Sequence, residues 1–512
     1  MIRHSLALSS LFAAAICLPI GAQIPHSTNA PANILGAQMD RSRMPEPVFE
    51  KEPGFVELYW RAWGLAYAHR LAQPGLPQSP YMDEAFWDDT IWIWDTCFMT
   101  LFCRYAPDQF PGIETLNNFY VPLHDGRQIP LTIQHPDNPP LFAWAEYDYF
   151  QLTGDIGHLR SLLEQHQYLQ KHYHWFEKLT RGNKVAGARI PVALRPQPLG
   201  FQWNGVASGM DNSPRFDRKD PLAIDAIAQQ GLSARYIMLL AARVGNKSLA
   251  DEYRGEFDRL KKTVNEHYWD ETDGFYYDLL PDGKTFSKVR TPASFWPVLA
   301  GMASTQQVAR MTAYVRASNE LGGVVPWVSV SRSDPSFNPA GGYWRGAVWL
   351  PMAYMGIRSL AENAYIDLAN TTAEAVLRHM LNTYRSYEPH TIWECYNPLK
   401  PEPATTGNGE RVRPDFCGWS ALGPISLFIE NVIGLYRIDA TEQVVEWRLH
   451  QSGRHGIRRL RFGKIETDLI ADGNGHVDVT SNHPFTLRVN GRSFSVKTGK
   501  QRFEAAAIPL TP

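Results

Sequence analysis

Apolar residues recur at spacings of three and four along most of the chain from about residue 50 to residue 436. This spacing places them on one face of an α-helix. It is clear in FVELYWRAWGLAYAHRL (55–71) and DIGHLRSLLEQHQYLQKHYHWFEK (155–178), and it continues in segments 220–245, 249–264, 295–317, 347–358, 361–384 and 419–436. The pattern predicts a mainly α protein with roughly a dozen helices in antiparallel pairs.

Residues at the ends of these segments predict where helices begin and where the chain turns. Asp155 is placed to cap one helix, and Asp220, which is followed by Pro221, is placed to cap the next. The segment YWDETDGFYYDLL (268–280) contains an Asp-Gly pair, which is typical of a hairpin turn.

The pattern changes after about residue 440. The segment GHVDVTSNHPFTLRVNGRSFSV (475–496) alternates apolar and polar residues and contains an Asn-Gly pair, as antiparallel strands with tight turns do. We therefore expect a helical domain over residues 49–437 and a small antiparallel, sandwich-like β domain over residues 438–512.

The N-terminus carries the features of an export signal. Residues 1–22 combine Arg3 and His4, an apolar run and a final Gly-Ala, which is the order of a secretory signal peptide and is too short for a membrane span. Residues 23–48 are rich in Pro, Asn, Ala and Ser, which predicts a linker or an extended arm. The sequence thus predicts a periplasmic or secreted protein with no membrane span.

Composition excludes several classes of protein. The net charge of −2 provides no global field for nucleic acid or anionic membranes. No GxGxxG opens a helix after a strand and no HExxH or other compact metal set occurs, so we predict no cofactor and no metal, while any need for calcium stays open. No GxSxG nucleophile elbow occurs either. The cysteines that follow the predicted signal form no C-x-x-C pair, which argues against a zinc cage and leaves disulfide pairing open: they are Cys97, Cys103, Cys395 and Cys417. The oligomeric state also stays open.

Several long loops concentrate the residues that could carry chemistry, as loops in compact helical domains often do. The segments are WIWDTCF (92–98), QHPDNPPLFAWAEYDYFQLTGD (134–155), SGMDNSPRF (208–216), GGYWRGAVWLPMAY (341–354), TIWECYNP (391–398) and PDFCGWSALG (414–423). In their order along the chain these motifs resemble the six-hairpin glycosidases, especially glycoside hydrolase family 63 and its mannosylglycerate-hydrolase-like relatives. Family 37 trehalases are similar but more distant.

This resemblance, which spans nearly all of residues 50–436, implies an (α/α)6 barrel that hydrolyses glycosides with inversion. It implies that Asp211, in SGMDNSPR, is the general acid and that Glu394, in WECYNP, is the general base. The matching segments are also expected to bind the carbohydrate substrate, through Trp94, Asp95, Gln134, Trp144, Trp203, Arg215, Trp344, Arg345, Trp393 and Trp419.

The chemistry gives these two carboxyl groups distinct requirements. Inverting glycosidases place an acid and a base roughly 6.5–9.5 Å apart, with room for a water. Asp211 must keep its proton near neutral pH, and burial beside Met210 and Phe216 would raise its pKa. Glu394 must be ionised, so hydrogen-bond donors or water are expected around it.

Plainer interpretations exist for each residue. Asp211 could be an ordinary turn residue that folds back on its own amides. Glu394 could pair with an arginine such as Arg411 or Arg413, and Asp95 could pair with Arg345.

Two other functions also use such a scaffold. A polysaccharide lyase on a helical toroid would need a Tyr-His pair or a lysine with a basic groove, whereas these loops hold carboxylates. A non-catalytic glycan-binding protein would be favoured by loss of Asp211 or Glu394, and both residues are present. We therefore predict an exported exo-acting glycoside hydrolase that removes a terminal, α-linked sugar.

Overall fold

A closed ring of six inner helices forms the centre of the molecule. The computed structural model describes residues 39–85, 89–217 and 220–510. Each inner helix contacts the next, and the last contacts the first. They are Ile93–Cys103, Phe142–Thr153, Ile224–Arg243, Trp296–Leu299, Leu350–Glu362 and Gly423–Ile433, the last with π-type turns. This ring is the (α/α)6 barrel that the sequence predicts.

An outer layer of helices covers the ring, because these helices have one apolar side to bury. The helix Lys247–His267 is an example: it buries Tyr253, Leu260 and Val264 against the helix before it, and its polar side faces solvent. The helices outside the ring are Pro53–Ala68, Gly112–Thr115, Asn117–Tyr120, Val121–Asp125, Ile156–Arg160, Ser161–Gln165, Tyr168–Lys178, Gly205–Ser208, Lys247–His267, Thr305–Arg316 and Ile366–Ser386, with 3₁₀ turns at Arg41–Arg43, Pro214–Phe216, Pro292–Phe295 and Ser420–Leu422.

The inner helices are largely buried because both their faces are covered by other elements. All eleven residues of Ile93–Cys103 are buried. Aromatic rings fill the middle of the ring: Phe98 lies 5.8 Å from Trp144, and Trp144 lies 5.8 Å from Trp296, measured between ring centroids. These edge-to-face contacts make the barrel interior a packed core.

The predicted helix starts have different outcomes. Asp155 caps a helix as predicted, since its side chain accepts the His158 N–H, but the segment then breaks at Gln167, whose φ of 55° is left-handed. The prediction for Asp220 is wrong. The helix begins only at Ile224, because Leu222 is held extended by β-bridges to its neighbours.

Two sheets occupy the C-terminal part of the chain. The first contains Glu46–Phe49, His455–Phe462, Ile465–Ala471, His476–Ser481 and Gly499–Glu504, in that order, and all its pairs are antiparallel. The second contains Arg437–Asp439, Val444–Trp447, Phe485–Val489 and Arg492–Val496, and its middle pair is parallel. Residues 46–49 thus form an edge strand of a C-terminal sheet.

Short two-stranded ribbons complete the loops. The predicted hairpin at 268–280 is present, since Trp269–Asp270 pairs antiparallel with Phe275–Tyr276. The other ribbons pair Arg70–Leu71 with Tyr81–Met82, Thr90–Ile91 with Thr132–Ile133, Arg195–Gln197 with Gly200–Gln202, and Asp278–Leu279 with Phe286–Ser287.

Two further expectations concern export and cysteine chemistry. The predicted signal peptide and most of the predicted arm lie outside the described residues. Across the described ranges, no helix has the length and apolarity needed to cross a membrane. The four cysteines are buried and free of disulfides.

Candidate functional site

The N-terminal ends of the inner helices surround a cavity of about 410 Å³. Its walls come from loops that precede five of these helices and from residues near Glu84. The lining residues are Glu84, Trp92, Trp94, Asp95, Gln134, His135, Asn138, Ile190, Val206, Gly209, Asp211, Tyr343, Trp344, Trp349, Glu394, Arg413, Phe416 and Trp419. Asp211 and Glu394, which are 183 positions apart in the sequence, therefore lie in one cavity.

The loop that carries Asp211 is shaped by close backbone approaches. A Cβ on Gly205 would lie 1.9 Å from the backbone oxygen of Asp211, so no other residue fits there. Gly209 has a φ of 79°, and a Cβ on it would lie 2.9 Å from the Trp94 ring. The tight turn presses the loop against Trp94 and holds Asp211 in the cavity wall.

Arg215 anchors the Asp211 loop to the barrel through two buried ion pairs. Its guanidinium is buried and makes bidentate hydrogen bonds of 2.7–2.8 Å to Asp225 and to Asp278. Asp278 also accepts the Ile224 N–H at 2.9 Å, at the first residue of an inner helix. Arg215 thus joins the Asp211 loop to the barrel and does not line the cavity.

Asn212 links the Asp211 loop to the next wall of the cavity. Its Oδ1 accepts the Trp344 N–H at 2.8 Å, and its Nδ2 donates to the Gly342 carbonyl at 3.1 Å. Between those two residues lies Tyr343, whose hydroxyl donates to Glu394 Oε1 at 2.8 Å. The loops that hold the two candidate carboxyl groups are thereby connected through hydrogen bonds.

Glu394 has the hydrogen-bond donors that its sequence context led us to expect. Besides Tyr343, the Arg413 backbone N–H donates to its Oε2 at 3.3 Å. Burial raises the pKa of Glu394, while the Tyr343 hydroxyl, the Arg413 amide and the Arg413 charge act to lower it. Arg411 is not its partner, since it pairs with Glu402 at 3.0 Å.

Asp211 has an elevated proton affinity. Burial raises its pKa to about 7, with a further contribution from the negative charge of Glu394. Its side chain still has a share of surface open to the cavity. Asp211 therefore combines access to a ligand with a proton that it retains to near-neutral pH.

Asp95 pairs with another carboxyl group, which the sequence interpretation did not include. The Asp95 and Glu84 side chains are both buried and hydrogen-bonded to each other, which requires a shared proton. Burial raises the pKa of Glu84 well above its usual range and also raises that of Asp95. The suggested pairing of Asp95 with Arg345 is absent, because Arg345 pairs with Asp217 near the surface.

Five of the ten predicted substrate-binding residues line the cavity, namely Trp94, Asp95, Gln134, Trp344 and Trp419. The other five lie outside its lining. Two of them are core tryptophans: Trp144 packs between Phe98 and Trp296, and Trp203 packs against Phe176 at 6.0 Å. They were predicted to bind substrate because aromatic residues near a motif look alike in sequence whether they face a cavity or the core.

The remaining three are accounted for by their partners. Arg215 and Arg345 make the ion pairs described above, and Trp393 is buried with its ring 5.6 Å from that of Tyr387. Glu394, the next residue along the chain, does line the cavity.

The structure adds cavity residues that the sequence interpretation did not name as binding residues. All but Arg413 lie within the motif segments quoted above, which is the signal that could have found them: they are Trp92, His135, Asn138, Tyr343, Trp349, Arg413 and Phe416. Trp349 stacks on Trp344 with centroids 4.0 Å apart and planes within 5°. Together with Trp419, 5.6 Å away, they form an aromatic wall.

Four buried polar atoms of cavity residues have no hydrogen-bond partner within the described part of the chain. They are Glu84 Oε2, Trp94 Nε1, Gln134 Oε1 and Asn138 Oδ1. One N–H donor and three oxygens of this kind can bind hydroxyl groups of a ligand or ordered water. Within the described ranges, no cluster of three or more His, Cys, Asp or Glu residues could hold a metal ion.

A closed (α/α)6 ring with paired carboxyl groups and stacked aromatic rings in a cavity at one end defines a carbohydrate-active helical-barrel protein. Residues 128–411, more than half of the chain, match the family model described as "Mannosylglycerate hydrolase MGH1-like glycoside hydrolase domain". The chain belongs to this family of glycoside hydrolase domains, so it is a glycoside hydrolase.

Two relatives show how far the similarity extends. An uncharacterised protein of Borreliella burgdorferi is 26% identical over 460 residues, which cover 85% of this chain and 91% of the relative. A Schizosaccharomyces pombe protein described as "Probable mannosyl-oligosaccharide glucosidase" is 24% identical over 429 residues, which cover 70% of this chain. The match spans about half (50%) of that longer protein.

A solved structure shares the fold. The mannosylglycerate hydrolase from Thermus thermophilus, in complex with glucose, superposes with a TM-score of 0.53 at 18% identity. The superposition covers 72% of this chain and 99% of the other.

Proposed function

We propose that this chain is an exported, inverting exo-glycosidase in which Asp211 is the general acid and Glu394 the general base. One observation supports it above all others. Two carboxyl groups from different loops line one cavity, and their surroundings differ. Asp211 has its pKa raised to about 7, whereas Glu394 accepts hydrogen bonds from Tyr343 and Arg413.

These differences suit a single displacement by water. Asp211 donates its proton to the glycosidic oxygen as the bond to the anomeric carbon breaks. Glu394 accepts a proton from a water that attacks this carbon from the opposite face, so the new bond has inverted configuration. Asp211 is left ionised and Glu394 protonated, and solvent exchange restores both groups.

The substrate side of the proposal rests on the cavity and on the relatives. A volume of about 410 Å³ is near the lower end of ordinary small-molecule sites, which suits one terminal sugar. The aromatic wall of Trp344 and Trp349 offers ring faces for the apolar side of a sugar. The names of the relatives point to oligosaccharides or small glycosides that contain mannose or glucose. We propose an α-linkage, and export on the strength of residues 1–22.

The test is to follow hydrolysis of paired α- and β-linked glucosides and mannosides by NMR, recording the first anomer released. We expect the β-anomer from an α-glycoside. Asp211→Asn and Glu394→Gln should each lower kcat by several orders of magnitude, about 10³-fold or more. The matched control is Glu256→Gln, a carboxylate on an outer helix, which should hydrolyse at the wild-type rate.

Two results would overturn the proposal. Release of the α-anomer first from an α-glycoside would rule out inversion. Near-native rates in both cavity variants, with folding verified by circular dichroism, would rule out the assigned roles. An unsaturated product would instead indicate a lyase.

A further inference from the structure

A second cavity, of about 360 Å³, lies at the other end of the barrel. The inner helix Ile93–Cys103 connects the two ends, because Asp95 near its start lines the first cavity and Arg104 after its end lines the second. Nine residues at 1.5 Å each separate these positions by roughly 14 Å along the helix axis. The C-terminal halves of four other inner helices and the strand Arg437–Asp439 complete the walls.

Every charged residue that lines this cavity is held in an ion pair. Arg104 pairs with Asp148 at 2.9 Å and with Glu430 at 2.8 Å. Arg358 pairs with Asp148 and with Glu362, both at 3.0 Å. Arg235 reaches Glu362 at 3.7 Å.

Three lining guanidinium groups are thus paired with three carboxylates, of which Asp148 lies outside the lining, and the fourth lining arginine, Arg437, pairs with Asp439, Glu442 and Glu446. A charged ligand would have to displace one of these internal partners, whereas a neutral one would leave the pairs intact.

Two buried polar atoms beside this neutral network have no partner within the part of the chain that the structure describes. They are the hydroxyl of Tyr236, a residue 1% exposed, and Nε of Arg104. Both residues line the second cavity. Buried polar groups without partners usually meet a ligand or an ordered water. The Tyr236 hydroxyl and the Arg104 Nε–H group could both form hydrogen bonds with a ligand rich in hydroxyl groups.

The cavity also offers aromatic surface. The Tyr147 and Tyr236 rings stack with centroids 4.5 Å apart, and both line the cavity. Rings beside hydrogen-bonding arginines and carboxylates are a suitable surface for a sugar, because its C–H face can contact a ring while its hydroxyls reach polar groups. The volume is sufficient for a small molecule.

We propose that this second cavity is a non-catalytic binding site for a neutral monosaccharide, separate from the cavity of Asp211 and Glu394. Tyr236 and Arg104 supply the hydrogen bonds, and the saturated ion pairs select against charged sugars. The proposal does not depend on the roles of Asp211 and Glu394, and it is tested by binding rather than by hydrolysis.

The experiment titrates the full chain with glucose and with mannose in a calorimeter, beside glucuronate as a charged analogue. We expect two binding sites for at least one neutral sugar. Tyr236→Phe removes only the unpaired hydroxyl and should weaken one site at least tenfold. Gln134→Ala should weaken the other. Tyr173→Phe, which removes a tyrosine hydroxyl on the outer layer, is the matched control and should change neither.

A second variant and a crystal soak make the outcome decisive. Ala361→Trp places a large ring in the second cavity and should abolish the site that Tyr236→Phe weakens. Electron density for sugar beside Tyr236 in soaked crystals would support the proposal. A single site unaffected by Tyr236→Phe and Ala361→Trp, with only water beside Tyr236, would overturn it. Equal binding of glucuronate at this site would overturn the selection for neutral sugars.

Discussion

The Tyr343 hydroxyl donates a hydrogen bond of 2.8 Å to Glu394 Oε1. Tyr343 belongs to the loop that Asn212 holds through the Gly342 carbonyl and the Trp344 N–H. Asn212, which follows Asp211, thus positions Tyr343, which donates a hydrogen bond to Glu394. Proton affinity at Glu394 and loop geometry at Asp211 are therefore coupled in this structure.

Tyr343→Phe should raise the pKa of Glu394, because the hydroxyl that stabilises its charged form is lost. A hydrogen bond to a charged group contributes about 1.5–3 kcal/mol, which corresponds to roughly one to two pH units. The acidic limb of the kcat/KM profile should move to higher pH by this amount. Tyr173→Phe, which removes the hydrogen bond of 3.0 Å to Glu256, is the matched control. An unmoved limb would show that Tyr343 does not tune Glu394.

Asn212→Ala should lower kcat by about 10- to 100-fold, because both hydrogen bonds between the two loops are lost and the carboxyl groups move relative to each other. Unfolding free energy should fall by about 1–3 kcal/mol. The comparison variant is Asn246→Ala, which removes a helix cap on the outer layer and should cost about 1 kcal/mol without loss of rate. Full activity in Asn212→Ala would disprove the linkage.

The pH dependence of activity should report Asp211. Its pKa of about 7 means that it holds the proton at lower pH and loses it above, so kcat/KM should fall as pH rises through about 7. Rate profiles measured between pH 4 and 9 check this. A rate that stays constant to pH 9 would be incompatible with Asp211 as the acid.

The stability of the folded chain should also depend on the protonation of Asp211. The folded pKa of Asp211 lies above its ordinary value of 3.8, so the folded state binds more protons than the unfolded state between about pH 4 and 7. Its contribution to stability is therefore lost as pH rises through this window. Asp211→Asn removes the titration, so the Tm of the variant relative to wild type should increase from pH 4 to pH 8. A constant difference would contradict the raised pKa.

Arg215→Met should destabilise the fold by about 3–5 kcal/mol, because it leaves Asp225 and Asp278 as buried carboxylates without their cation. Chemical denaturation measures the loss. Arg345→Met breaks a partly exposed pair with Asp217 and should cost less than about 1 kcal/mol. Equal losses in the two variants would mean that Arg215 has no special structural role.

Much of the architecture is readable from local pattern. The spacing of apolar residues predicts the helices, since burying one stripe of a helix requires that spacing wherever the chain is helical. It is less informative at boundaries such as Asp220, where β-bridges to Leu222 keep the backbone extended. Long-range pairing overrides a local capping signal, because the extended chain gains hydrogen bonds that the cap would not provide.

The candidate site, like the fold, was predicted from the sequence only in part. The motifs, taken in their order along the chain, identified the family and pointed to Asp211 and Glu394. Sequence alone could not assign the aromatic residues, since Trp144 in the core and Trp344 in the cavity wall both lie within the quoted motif segments. Which ring faces the cavity depends on how six helices close into a ring.

The amino-acid sequence by itself determined the helical repeat, the change to β structure near residue 440 and the segments that carry carboxyl groups. Only the tertiary structure decided that Asp95 shares a proton with Glu84, that Tyr343 donates to Glu394, and that Arg215 anchors a loop. These contacts join residues distant in the chain, and their partners are selected by packing, burial and charge together. No local pattern encodes such a choice, because each partner acquires its role only when the ring has closed.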